Sequence, residues 1–219
     1  MGADSLCDRG SGLRDTDMSN ILLITSSPRA GSYSTKVAHA LANQLASREP
    51  SSRITVRDLN KNPLPHIDDS FAVARAVPPA NLTRVQKASL ALSDELVEEL
   101  LAADSIIIAA AMINFGIPSN LKAYIDYIVR PGVTFNYSAK GPEGLVKGKK
   151  VYLVVARGGV YSEGPMQRFN FQDTYLRTAL AFIGLDDVEL ITVEGVAFGP
   201  EAADRAVTNA LTRVSGIAA

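Results

Sequence analysis

The residues best suited to binding chemistry lie between the first apolar run and the first helical pattern, where positions 21–35 read ILLITSSPRAGSYST. Hydroxyls at Ser26, Ser27, Ser32, Ser34 and Thr35 crowd this turn. A Ser-, Pro- and Gly-rich connection from strand to helix gathers backbone N–H groups at the helix N-terminus, where the helix dipole adds partial positive charge. That chemistry suits an anion. No lysine is required, so a lone monophosphate fits better than a triphosphate with its metal. The same residues also fit an ordinary βα connection with a Ser N-cap, and this loop alone leaves both readings open.

Two more unusual loops follow apolar runs. Met112-Ile-Asn-Phe-Gly-Ile-Pro118 comes after SIIIAAA, and Arg157-Gly-Gly159 comes after VYLVVA. None of the three loops holds paired carboxylates, a Cys–His pair or a metal-spaced cluster, and Ser26 and Ser27 have no neighbouring base. His39 lies off the apolar row of its helix and His66 follows a proline, so both read as surface residues. Backbone donors, hydroxyls, an amide and aromatics, with no catalytic acid, base or metal ligand, describe a site in which a cofactor performs the chemistry. Dinucleotide and P-loop signatures are missing. The nearest imitation, Gly144 to Lys150, is one residue short, runs into a strand and reads as a turn.

These loops need a scaffold. Residues 35–47 place Val37, Leu41 and Leu45 four apart on one helix face. Residues 53–59 alternate as a strand ended by Asn62-Pro-Leu-Pro65, and 68–81 form an irregular excursion with a short helix. Residues 82–103 give the longest helical pattern, and 105–111 an apolar run buried on both faces. Then come a helix over 118–129, a hairpin or flap at 133–144, and strands at 151–156 and 188–193. Helices at 174–183 and 200–214 complete the chain. The order predicts a five-stranded parallel sheet with helices on both faces, binding its ligand at the C-terminal edge beside the topological switch point.

Composition narrows the function further. The chain has 219 residues, a formal net charge of −1 and one cysteine. Near-neutral charge with scattered basic residues gives no nucleic-acid footprint. Lys147, Lys149 and Lys150 are expected on a solvated hairpin. No apolar run approaches the ~18 residues of a membrane span, and no signal-peptide pattern is present. A single Cys7 in a polar leader fits a reducing, cytoplasmic setting. Residues 1–19 read as a disordered leader or a start placed too early, with Met18 the alternative initiator, and 20–219 as one domain.

The combination of SSPRAG, MINF, LKAYIDYIVRPGVTFNYSAKGPEGLVKGKK, ARGG and the closing FIGLDDVELITVEG…FGPE resembles the FMN-dependent NADH-azoreductase and NAD(P)H:quinone oxidoreductase family. The likeness runs from Ile21 to the C-terminus. It implies an α/β, flavodoxin-like, doubly wound three-layer sandwich. It implies Ser27, Tyr33, Ser34 and Thr35 around the FMN phosphate, Met112, Ile113, Asn114 and Phe115 along the isoalloxazine, and Ala156, Arg157, Gly158 and Gly159 at its pyrimidine edge. Glycines there admit close approach of N–H groups to the carbonyl region that gains charge on reduction. The Arg157 side chain is expected to pair only at the surface.

The resemblance further implies a homodimeric enzyme with a ping-pong cycle, taking electrons from NADH or NADPH and giving them to a quinone or an azo compound. Tyr137, Tyr161 and Phe182 are the expected substrate-pocket residues, Tyr137 and Phe182 by way of the partner subunit. Ala111, Ile113, Tyr33, Ala156 and Tyr161 depart from the commonest pattern (Pro, Tyr, Ser, Ser and, in some members, His), which bears on substrate preference. Two other readings compete: a flavodoxin-type electron carrier, which would be strongly acidic, and a reductase that releases reduced FMN.

Overall fold

The computed structural model describes residues 19–217; the leader, Cys7 and nearly all of the reading made for it lie outside these. Five strands form one parallel sheet: β1 (Asn20–Thr25), β2 (Arg53–Asp58), β3 (Ser105–Ala111), β6 (Lys150–Ala156) and β7 (Val188–Val193), in spatial order β2-β1-β3-β6-β7. The order reverses between β1 and β3. Strand periodicity assigns the faces. Leu22, Ile24, Ile106, Ile108, Leu153 and Val155 join one buried cluster, and Ile21, Leu23, Ile107, Ala109 and Val154 join the other. The first is covered by α2 (Asp69–Ala74), α3 (Arg84–Ala102), α4 (Ser119–Ile128) and α5 (Gln172–Phe182), and the second by α1 (Tyr33–Ala46) and α6 (Pro200–Ile217). The expected three-layer, five-stranded architecture is the one observed.

Between α4 and β6 a two-stranded hairpin, β4 (Phe135–Ser138) with β5 (Gly141–Gly144), lies at the N-terminal edge of the sheet. It is anchored, and is not a flap over the loops at the other edge. Thr134 is wholly buried, donating its hydroxyl to the Ile128 carbonyl at 2.7 Å and accepting from the Arg130 N–H at 2.9 Å. Val146 N–H donates to the Ile183 carbonyl at 2.8 Å. Here Gly144 meets Gly184 backbone to backbone: a Cβ on Gly144 would lie 2.1 Å from the Gly184 nitrogen, and Gly184 has φ +101°. Gly144 of GPEG and Gly184 of FIG therefore hold two segments against each other. Lys149 also departs from its expected place on a solvated hairpin. Its ammonium donates to the Leu101 (2.7 Å) and Ala103 carbonyls at the end of α3, and partial burial lowers its pKa.

Candidate active site at the carboxyl edge of the sheet

The serine loop is shaped by capping. Ser32 is the N-cap of α1, its hydroxyl accepting from Thr35 N–H at 3.5 Å and lying 3.0 Å from the Ser34 hydroxyl. Ser26 is not available as a ligand donor: buried, it gives its hydroxyl to the Ala109 carbonyl at 2.8 Å and ties β1 to β3. Among the described residues, nothing in the chain accepts from the N–H groups of Tyr33 and Ser34 in the first turn of α1. Arg29 lies over the Tyr33 ring, 4.9 Å from its centroid, and lines the cleft beside this loop.

The second loop leaves β3 latched to β6 by a 2.8 Å bond from Met112 N–H to the Ala156 carbonyl. It then folds into a two-residue hairpin in which Ile113 and Gly116 exchange both backbone bonds at 3.0 Å. Asn114 (φ 46°) and Phe115 (φ 73°) occupy the left-handed region that such a turn requires. Asn tolerates this; phenylalanine does so at a cost of about 1–2 kcal/mol. Neighbours hold the strained residue. Its ring lies 5.3 Å from Phe169 and 6.3 Å from Tyr161, and its carbonyl accepts from Phe171 N–H at 3.1 Å.

The third loop rests on a buried charge cluster that overturns the expected surface role of Arg157. This side chain is 1% exposed. It donates from Nε to Gln172 Oε1 at 3.0 Å, to Glu194 Oε1 at 2.7 Å, and to Asp173 Oδ1. Glu194 in turn accepts from Tyr161 N–H at 2.9 Å and from the Ser162 hydroxyl at 2.5 Å. Gln172 donates to the Ala110 carbonyl at 3.0 Å. One guanidinium thus joins the ends of β6 and β7 to the start of α5 and, through Gln172, to β3. Burial opposes ionisation of Glu194, but the bonds from Ser162, Tyr161 and Arg157 together outweigh it and hold its carboxyl below the ordinary range.

Gly158 and Gly159 follow, their carbonyls accepting from Ala197 N–H (3.0 Å) and Gly195 N–H (3.1 Å). Their own N–H groups find no acceptor in the described chain. A Cβ on Gly158 would come 3.3 Å from the Ala197 Cβ, and one on Gly159 would come 3.2 Å from the Tyr161 ring. A side chain at Gly159 would therefore press on Tyr161.

The three loops close on one cleft of about 240 Å³, lined by Ser27, Ser32 and Tyr33, by Met112 and Ile113, and by Ala156 to Gly158. No carboxylate lines it, while open N–H donors stand at both ends. That donor set fits FMN: the first turn of α1 could take a phosphate, and the Gly158 N–H an electron-rich ring edge. A second cavity of about 660 Å³ adjoins Gly159 and Tyr161, with Met166 and Phe198 in its wall. Ser27, Tyr33, Met112, Ile113, Ala156, Arg157 and Gly158 all line the first cleft; Gly159 and Tyr161 line the second. Tyr137 and Phe182 do not join them within one chain. Both pack on Phe135, at 5.4 and 4.6 Å between centroids, at the opposite edge of the sheet. His39 and His66 are exposed, as expected. Sequence reasoning missed Gln172, Asp173 and Glu194; the available signal was a lone Glu directly after a buried strand and an acid in the first turn of α5, both at the ligand-binding edge.

Comparison with known proteins agrees with this geometry. A family model described as Flavodoxin-like fold matches residues 19–217. An FMN-dependent NADH:quinone oxidoreductase of Rhizobium johnstonii is 53% identical over 201 residues, covering 92% of this chain and 98% of its own. One of the same name from Mesorhizobium japonicum is 46% identical, over 91% of this chain and 96% of its own. Among solved structures, an azoreductase from Bacillus anthracis str. Sterne superposes with a TM-score of 0.84 at 29% identity, covering 92% of this chain and 99% of the other. An FMN-dependent NADH-azoreductase from Bacillus anthracis str. Ames Ancestor in complex with FMN gives 0.80 at 25%, covering 92% and 100%. Fold, site geometry and these likenesses converge: the chain belongs to the flavodoxin-like family of FMN-dependent NADH:quinone oxidoreductases and azoreductases.

Proposed function

We propose that the protein is an FMN-dependent NADH:quinone oxidoreductase with azoreductase activity. The observation that carries this is the carboxylate-free cleft with unpaired N–H donors of α1 at one end and of Gly158 at the other. When bound, FMN supplies the two-electron chemistry, taking reducing equivalents from NADH and delivering them to the acceptor. The chain's own residues bind and orient. Tyr33 and Ser34 N–H groups, with Ser27 and Thr35 beside them, hold the phosphate at the dipole's positive end. Met112, Ile113 and Asn114 lie along the ring, and the glycine N–H groups meet its pyrimidine edge. Phe115, Tyr161 and Phe169 form an aromatic cluster beside the loops, whose apolar surface would help to keep water out. No side chain in this cleft acts as a general acid or base, so access and stacking set which acceptors react.

Residues 20–219 act as one domain in this reading, and the protein works as a homodimer in a reducing, cytoplasmic compartment. Among the described residues no helix is long and apolar enough to cross a membrane. Tyr137 is 74% exposed at the edge opposite its own cleft, so a partner's copy is what would bring it and Phe182 near a site. Steady-state kinetics with one quinone and one azo dye tests the proposal. Parallel double-reciprocal plots, with the quinone reduced faster, are expected, because an azo bond must also take protons on both nitrogens. Intersecting lines, or no turnover of either compound, would overturn it.

A further inference from the structure

The cluster around Arg157 carries more charge than a clamp needs. One guanidinium faces two carboxylates, and no second cation is paired with either among the described residues. Counted formally, one negative charge is left over. It is held away from water: the side chains of Arg157, Asp173 and Glu194 are 1%, 12% and 11% exposed. At such sites charge is poorly screened and its field reaches neighbouring groups. A neutral amide already serves as acceptor for Arg157 Nε, as Gln172 shows, so a second buried carboxylate costs desolvation that mechanical anchoring alone does not repay.

The place of this excess charge is specific. Arg157 immediately precedes Gly158, and Glu194 binds Tyr161 N–H just beyond Gly159, so the cluster grips both ends of the glycine loop from behind. A redox group lying against that loop gains electrons in the presence of fixed negative charge, which disfavours reduction.

We propose that Asp173 and Glu194 set the redox potential of FMN bound at this loop, holding it low so that the reduced enzyme is a stronger donor, while Arg157 is the positioning residue that fixes the loop. This rests on the FMN reading above. Asp173→Asn and Glu194→Gln each remove one charge while keeping a carbonyl oxygen for Arg157 to donate to. The test measures the potential of bound FMN in wild-type and variant holoenzymes by anaerobic equilibration with reference dyes. FMN affinity of the apoproteins is followed alongside by flavin fluorescence. Each variant is expected to raise the potential by at least a tenfold change in the oxidised-to-reduced ratio, about 30 mV for a two-electron couple.

Arg157→Lys keeps the charge but loses the fork, and is expected to weaken FMN binding more than it moves the potential. A ratio within threefold of wild type in either carboxylate variant, or a lowered potential, overturns the proposal and leaves a purely mechanical clamp. Failure of both carboxylate variants to hold FMN at saturating concentration overturns it as well. A wild type that holds no FMN would instead overturn the proposed function itself, a result distinct from FMN-loaded variants with unshifted potentials.

Discussion

Replacing Arg157 with methionine keeps an unbranched side chain but removes the guanidinium from a site where it is 1% exposed. Gln172, Asp173 and Glu194 lose their common donor. Charge-assisted hydrogen bonds contribute about 1.5–3 kcal/mol each but do not add when they share one group. Removing one partner of a buried ion pair costs about 3–5 kcal/mol. Two carboxylates left unpaired place this substitution at the upper end, about 5 kcal/mol at pH 7. For a domain of this size each kcal/mol moves Tm by about 2–4 °C, so a fall of about 10–20 °C is expected.

The pH dependence adds an internal control. Without Arg157, Glu194 loses both the hydrogen bond and the charge of the guanidinium that lower its pKa, which rises above its wild-type value. The penalty is therefore full at neutral pH and shrinks as the solution is acidified and the carboxylate takes a proton. Thermal melts of the apoprotein by circular dichroism, at pH 7 and at mildly acid pH, read both effects. A variant melting within about 3 °C of wild type at pH 7, or a penalty that grows in acid, would refute the account of this cluster.

Other outcomes follow from the same structure. Gly144→Ala places a Cβ 2.1 Å from the Gly184 nitrogen and should cost about 3 kcal/mol or more in a urea melt, while Gly148→Ala, with open space but φ +72°, should cost about 1–2. The depressed Glu194 pKa contributes stability that is present above its ordinary value of 4.5 and lost as pH falls through the lower folded value; Glu194→Gln should flatten that acid limb in melts run across pH 3–6. Phe182→Ala and Tyr137→Ala should change the ratio of quinone to azo-dye turnover while FMN stays bound, and an unchanged ratio in both would remove them from the acceptor pocket.

The fold was legible because its signals are local. SIIIAAA reads as a strand buried on both faces, and Ile106, Ile107 and Ile108 indeed alternate between the two cores. The Val37–Leu41–Leu45 row predicts the face that α1 presents to the sheet, with the first two fully buried and Leu45 packed beside them. The loops that line the cleft were legible from their order after strands. What was hidden depends on distance along the chain. Arginine next to a double glycine reads as exposed until partners 16 and 37 residues away are folded onto it. The fit of Gly144 on Gly184 and the left-handed turn at Asn114–Phe115 are equally invisible to periodicity, because neighbouring backbone, not residue type, imposes them. The hairpin at Phe135–Gly144 was found, but which edge it would cover depends on where α4 ends.

The central claim is that the three carboxyl-edge loops hold FMN for a two-step exchange with NADH and a separate acceptor. Anaerobic mixing of the purified FMN-loaded protein with NADH, with no acceptor present, tests it most directly. The account predicts that the visible absorption of the bound flavin bleaches, with NAD⁺ formed in equal amount, and that one equivalent of quinone then restores it. A flavin that keeps its colour until both NADH and quinone are present would contradict the account.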